Sequence, residues 1–147
     1  MTDTESVTMT DDECEALLGR TATGVLSLTT AADEPPHTLP VSFGYDSVTS
    51  SFYFRLADAD SQKGELAGRP ASFVTYDHDG TYSSVVASGT LESTTDDETA
   101  TEALAGFERV TIPYVDIHGE PPAEVEFTFY RLVPDELTGR KEATTEL

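Results

Sequence analysis

The sequence predicts a mainly β protein: a small six-stranded antiparallel barrel with a few short flanking helices. Three observations predict it. From Ala22 onward apolar and polar residues alternate with period two, in runs rich in Val, Phe, Tyr and Thr. Clusters of Gly, Pro, Asp and Ser punctuate those runs. The runs do not alternate regularly with helical segments, as a parallel sheet would require. A barrel also removes the exposed edges on which sheets aggregate. A β-sandwich has similar strand spacing and remains the alternative.

Residues 1–8 are polar and are expected to be loose. Thr10-Asp11-Asp12-Glu13 reads as a capping box, Thr10 covering the first free amides and Glu13 reaching back, with Met9 and Cys14 placed as a staple. Cys14, Leu17 and Leu18 then form one apolar helical face, and Gly19 suits a left-handed stop. Strands are predicted over 22–30 (ATGVLSLTT), 37–45 (HTLPVSFGY), 51–56 (SFYFRL), 71–77 (ASFVTYD), 82–91 (YSSVVASGTL) and 125–133 (VEFTFYRLV). A short helix over 61–67, closed by Gly68 and Pro70, separates the third strand from the fourth. Thr95-Asp96-Asp97-Glu98 is a second capping box, opening a helix through Ala105 that Gly106 ends. The Pro-rich run 112–123 is expected to be a loop, and 134–147 a C-terminal tail.

The 147 residues fit one domain, 1–147, able to bury roughly 68–70% of its unfolded surface. Seven Phe, six Tyr and 37% hydrophobic residues are too much core material for a disordered acidic chain. Twenty-eight acids against eight bases give a charge of −20, which repels nucleic acid and anionic membranes. The acids are spread from Asp3 to Glu146, and Lys occurs only at 63 and 141. That pattern points to a halophilic surface, whose self-repulsion is screened in molar salt, where the Debye length is roughly 3 Å. Cys14 is the one cysteine, so no intramolecular disulfide forms, and a buried apolar role is expected for it. The first residues carry no basic or apolar run and no stretch approaches a membrane span, so a soluble cytoplasmic protein is expected.

Residues 55–69 (RLADADSQKGELAGR) hold three bases, Arg55, Lys63 and Arg69, against Asp58, Asp60 and Glu65, so the other 132 residues carry the whole −20. Alternation puts Phe52, Phe54 and Leu56 on one strand face and Tyr53 and Arg55 on the other. Arg55 then faces the segment carrying Ser61, Gln62 and Lys63 at a helix start. Free amides, a hydroxyl and two cations suit a phosphate monoester. The competing reading is that Arg55 and Lys63 simply pair with Asp58 or Asp60 at the surface.

The order of parts around this window is more specific. A helix, then G-V-L-S-L, P-P-H-T-L-P-V-S-F-G-Y-D, F-Y-F-R-L-A-D-A-D-S-Q-K, A-S-F-V-T-Y-D and Y-S-S-V-V-A-S-G-T-L-E resembles the pyridoxamine 5′-phosphate oxidase-like family of FMN-binding split barrels. The resemblance spans Asp11 to Glu92 and, more loosely, Val125 to Lys141. It implies an FMN phosphate grip at Arg55, Ser61, Gln62 and Lys63, and a strand whose backbone lies along the flavin ring at Pro40, Val41, Ser42 and Phe43. It also implies a homodimer, with Ser83 and Ser84 approaching the flavin from the second subunit. Pro40 lacks an N–H, which fits a strand turned toward a ligand, although an ordinary edge-strand proline explains it as well.

Tyr130-Arg131-Leu132-Val133-Pro134 also looks like the family, but the chain then departs from the true pyridoxamine 5′-phosphate oxidases. Their aromatic, substrate-gripping tail is replaced by DELTGRKEATTEL, and Trp is absent. That oxidase activity is therefore not expected, and the chain is similar instead to smaller members that are general flavin oxidoreductases or nitroimidazole-resistance-like proteins. His37, His78 and His118 lack metal-site spacing and are read as surface or loop residues. Asp77, Asp79 and Gly80 are read as a hairpin turn rather than a calcium loop. Tyr114 and His118 are placed where they could cap the flavin's open face. The implied function is FMN-dependent electron transfer from a reduced nicotinamide to a small acceptor, with no catalytic side chain identified. The alternatives are a non-catalytic flavin, deazaflavin or haem binder, and a barrel with no cofactor.

Overall fold

The protein is described from a computed structural model that covers residues 4–57, 66–94, 105–106, 108–110, 112 and 127–144. Its elements are β1 (Thr4–Thr8), α1 (Asp11–Arg20), β2 (Thr23–Leu28), β3 (His37–Asp46), β4 (Ser51–Ala57), β5 (Pro70–Asp79), β6 (Thr81–Ser93) and β7 (Phe127–Thr144). All pairings are antiparallel, in the order β1-β7-β4-β3-β2-β5-β6. Because β6 also pairs with β7, six strands close into a barrel and β1 is an extra strand outside it. Closure excludes the sandwich.

The inward residues are Leu26 and Leu28, Val41 and Phe43, Phe52, Phe54 and Leu56, Ala71 and Phe73, Val85, Ala87 and Leu91, and Leu132, all buried. Phe52, Phe54 and Leu56 share a face as alternation requires, whereas in the last strand Tyr130 and Leu132 turn to the core and Phe129 is exposed, the reverse of what the apolar alternation of that strand suggests. Phe73 is the hub of the core. Its ring centroid lies 4.8 Å from Phe43, 5.4 Å from Phe52 and 5.0 Å from Phe54, in tilted and edge-on contacts that suit ring quadrupoles. Gly24 opposite makes the room: a Cβ there would stand 2.5 Å from the Phe73 ring and 2.5 Å from the Val74 carbonyl.

The capping box of α1 is present, with Glu13 N–H donating to Thr10 Oγ1 (3.2 Å) and Thr10 N–H to Glu13 Oε1 (3.1 Å). Cys14, Leu17 and Leu18 are buried as expected, and burial pushes the Cys14 thiol pKa up. Met9 and Cys14 both pack over Gly139 of β7, where any side chain would collide with them. Lys141 of β7 pairs with Glu13, and that hydrogen bond holds the Glu13 carboxyl below its usual range. The helix does not stop at a left-handed Gly19, which lies inside it. It ends at Arg20, and Thr21, in extended conformation, returns both its N–H (3.1 Å) and its hydroxyl (3.0 Å) to the Leu17 carbonyl.

Two expectations are overturned at the termini. Thr4–Thr8 are not loose but pair with Arg140–Thr144 of β7. Ladders form between backbone groups that every sequence carries, so polar composition hides such a strand. The last strand likewise does not end at 133, and 134–144 is no tail: β7 runs through Pro134 to Thr144. A register shift between Ser88 and Gly89 lets Gly89 face Pro134 and Ser88 face Glu136, an irregularity that accommodates a residue without an N–H. Gly80, at φ +79°, makes the β5–β6 turn and supports the hairpin reading.

Ser61, Gln62 and Lys63, the box at 95–98, and Tyr114 and His118 lie outside the described residues. At the end of the first predicted inter-strand helix, Ala67 and Gly68 form a turn. Past the second capping box, Ala105, Gly106, Glu108 and Arg109 are helical, so Gly106 is not a terminator. Among the described residues no helix is long and apolar enough to cross a membrane.

Candidate functional site

The ladder between β3 and β4 runs from Asp46–Ser51 to Ser42–Arg55 and stops there. Beyond that point His37–Val41 pair only with β2, and Leu56 and Ala57 only with β7. The barrel wall therefore splits at the Ser42–Arg55 pair, which puts a hydroxyl and a guanidinium side by side on the outer face. Ser42 is buried and Arg55 half-buried. Ser61, Gln62 and Lys63 follow β4 in the sequence and lie outside the described residues.

Strand alternation divides the four ring-strand candidates. Val41 and Phe43 turn inward and are core residues, so only their backbone can face a ligand. Pro40 and Ser42 point outward. Pro40 lies where β3 has no β4 neighbour, so its missing N–H breaks no ladder on that side. An open strand edge, a hydroxyl and a cation in a chain of charge −20 fit an anionic phosphate with a flat group beside it.

Ser84 pairs with Tyr76 on one side and Arg140 on the other, and Ser83 pairs with Asp77 and Lys141. Within one chain they do not reach Arg55. β4 and β6 both pair with β7, but Arg55 pairs with Phe129 and Ser83 with Lys141, twelve residues farther along that strand, roughly 40 Å of strand rise. Pro40, Val25, Val74 and Val86 are successive cross-strand partners on the outer face. They form an apolar row across four strands that the alternation of any single strand does not reveal. Val86 is exposed, and so are Tyr76 and Tyr82 toward the hairpin tip, where Tyr82 contacts His78 at 4.1 Å between centroids. His37 is not a surface histidine: it begins β3, half-buried, with its Nε2 enclosed. At the far end of the same face an open groove of about 510 Å³ is lined by Ser27, Ser72, Ser88 and Glu136 among others.

Two ion pairs on the outer face were also missed. Arg131, only 7% exposed, donates from Nε (3.0 Å) and Nη2 (2.8 Å) to Glu92 Oε2 across β7 and β6. Asp46, at the end of β3, accepts from Arg109 Nε (2.8 Å) and Nη2 (2.7 Å), from Thr49 Oγ1 (2.7 Å) and from Val48 N–H (3.1 Å). The Arg109 guanidinium, with those two donors, holds the Asp46 carboxyl far below its usual range. Neither pair carries a sequence signal, since the partners are 39 and 63 residues apart.

The depressed Asp46 pKa has a definite sign. Its stabilisation is complete above the ordinary carboxylate pKa near 4 and is lost as pH falls below that toward the folded value. Asp46→Asn is expected to destabilise the protein by about 2–3 kcal/mol at neutral pH. In thermal melts the gap between the two proteins should be constant above pH 5 and narrow below pH 4.

A family model described as pyridoxamine 5′-phosphate oxidase matches residues 10–141. No curated protein matches the chain. Among solved structures, the FAD-binding protein of Mycobacterium smegmatis superposes with a TM-score of 0.68 at 22% identity, covering 92% of this chain and 97% of that one. A FAD-binding protein of Mesorhizobium loti gives 0.67 at 16% identity, covering 94% and 99%. The FAD- and haem-binding protein of M. smegmatis gives 0.64 at 20% identity, covering 92% and 72%. At these identities the likeness carries the fold. The family match, over nearly the whole barrel, goes further: the chain belongs to the pyridoxamine 5′-phosphate oxidase-like family.

Proposed function

We propose that the protein is an FMN-binding oxidoreductase, a single domain over 1–147 that passes electrons from a reduced nicotinamide to a small acceptor. The observation that carries this reading is the end of the β3–β4 ladder at Ser42–Arg55, which sets a cation and a hydroxyl at a break in the wall of a strongly anionic barrel. Arg55, with Ser61, Gln62 and Lys63, would hold the phosphate. The open edge of Pro40–Phe43 would lie against the ring. The flavin itself supplies the redox chemistry when bound, and the chain's part is to bind it, orient it and exclude water.

The active form in this proposal is a cytoplasmic homodimer. The row Pro40, Val25, Val74 and Val86 offers an apolar face to a second copy. Ser83 and Ser84 would then come to the flavin from the partner, which resolves their distance from Arg55 within one chain. The dispersed acids support a requirement for molar salt. A second reading, a non-catalytic flavin, deazaflavin or haem carrier or sensor, is favoured by the likeness to a protein named for binding both FAD and haem.

The test is an absorption spectrum of the purified protein in molar salt, identification of the chromophore released on denaturation, and anaerobic addition of reduced nicotinamide. A flavin spectrum, released FMN and bleaching by the nicotinamide are expected. A flavin that does not bleach selects the second reading. A colourless protein that refuses added flavin ends both.

A further inference from the structure

Residues 105, 106, 108–110 and 112 lie across the outer face of β3 and β4, and three contacts fix them there. Gly106 sits directly on the Tyr53 ring of β4, where any side chain would overlap the phenol. Val110 and Ile112 sit on Gly44 of β3, at 2.8 Å and 3.3 Å from where its Cβ would stand. Arg109 grips Asp46 with two hydrogen bonds at the end of β3. Gly44 and Tyr53 are cross-strand partners, and the next outward pair along the same two strands is Ser42–Arg55. The segment thus ends about 7 Å, two residues of strand rise, from the split in the wall. The burial pattern agrees: Tyr53 and Ser42 point away from the barrel interior, yet both are buried.

We infer that Arg109 is a positioning residue for the cofactor site: its grip on Asp46 holds Gly106, Val110 and Ile112 as a wall beside the Ser42–Arg55 notch, on the side of the β3–β4 turn. This rests on the functional reading above and goes beyond it, because Arg109 lies in none of the segments assigned to the flavin. The physical reason is dielectric. A phosphate held by Arg55 is bound more strongly where a packed wall excludes water than where the sheet face is open. Glycine at 44 and 106 permits the close approach, and the guanidinium, matching both carboxylate oxygens, fixes the segment in one position.

The experiment uses the full chain in molar salt, below the melting temperature of every variant. FMN affinity is measured by titration, and iodide quenching of the bound flavin reports access of solvent to the site. Arg109→Ala should raise the FMN Kd about 10-fold and raise quenching toward that of free flavin, with Arg109→Lys intermediate. Leu17→Ala, in the core under α1 and away from the segment, serves as a variant that lowers stability by another route. It should leave both readouts near the wild-type values. An Arg109→Ala protein with wild-type Kd and quenching overturns the inference and leaves the functional reading intact, as does a Leu17→Ala protein that loosens FMN equally. A wild-type protein that takes up no FMN overturns the functional reading and the inference together.

Discussion

Arg55→Ala should bind FMN about 100-fold more weakly than the wild type while keeping its fold. A charge-assisted hydrogen bond contributes roughly 1.5–3 kcal/mol, so the loss of a guanidinium that meets a phosphate costs between one and two orders of magnitude in Kd. Arg55 is half-buried at the end of the β3–β4 ladder, so its side chain is already ordered, and little of that contribution is spent on fixing it in place. Molar salt does not erase the effect, because screening acts on charges farther apart than a few ångströms and not on a contact pair. Lys63→Ala should weaken binding in the same direction, an expectation that comes from the family resemblance. The check is a flavin titration beside a thermal melt: weakened binding with an intact melt supports the site, and an unchanged Kd for both variants removes it.

Phe73→Ala should cost about 3–5 kcal/mol of stability, the largest single loss expected from the core. Phe73 touches three other buried rings on β3 and β4, and Gly24 faces it from β2. Four of the six barrel strands therefore meet at one side chain. Relaxation cannot fill the hole, because the ladders on either side of β5 hold the strand at a fixed distance from its neighbours. A melting temperature lower by about 10–20 °C is expected for a chain of this length. A loss below about 1 kcal/mol would show that Phe73 is not the centre of the core.

The barrel was legible because its strands obey a local rule. Alternation in SFYFRL set Phe52, Phe54 and Leu56 on one apolar face, and all three are buried. The rule failed where the outer face is not wet. Tyr53 alternates with the core residues and should face solvent, yet it is fully buried, because Gly106 from the far side of the sequence packs against it. Alternation reports one face of a strand and says nothing about what covers the other. β1 and the second half of β7 were hidden for a related reason: TESVT and DELTGRKEAT carry no apolar row, and backbone pairing alone makes them strands. In the site, Arg55 was legible as a cation leaving an apolar row. Asp46, Arg109, Glu92 and Arg131 were not, since pairing across tens of residues leaves no spacing to read.

The central claim is that the break in the barrel wall at Ser42 and Arg55 is a phosphate site for a flavin. A crystal structure of the protein grown with FMN in molar salt tests it most directly. The phosphate is expected within hydrogen-bond reach of the Arg55 guanidinium, with the ring along Pro40–Phe43 and a second copy closing over it with Ser83 and Ser84. FMN bound at any other place on the barrel, or Arg55 turned wholly to a carboxylate of its own chain with the nucleotide present, would contradict it.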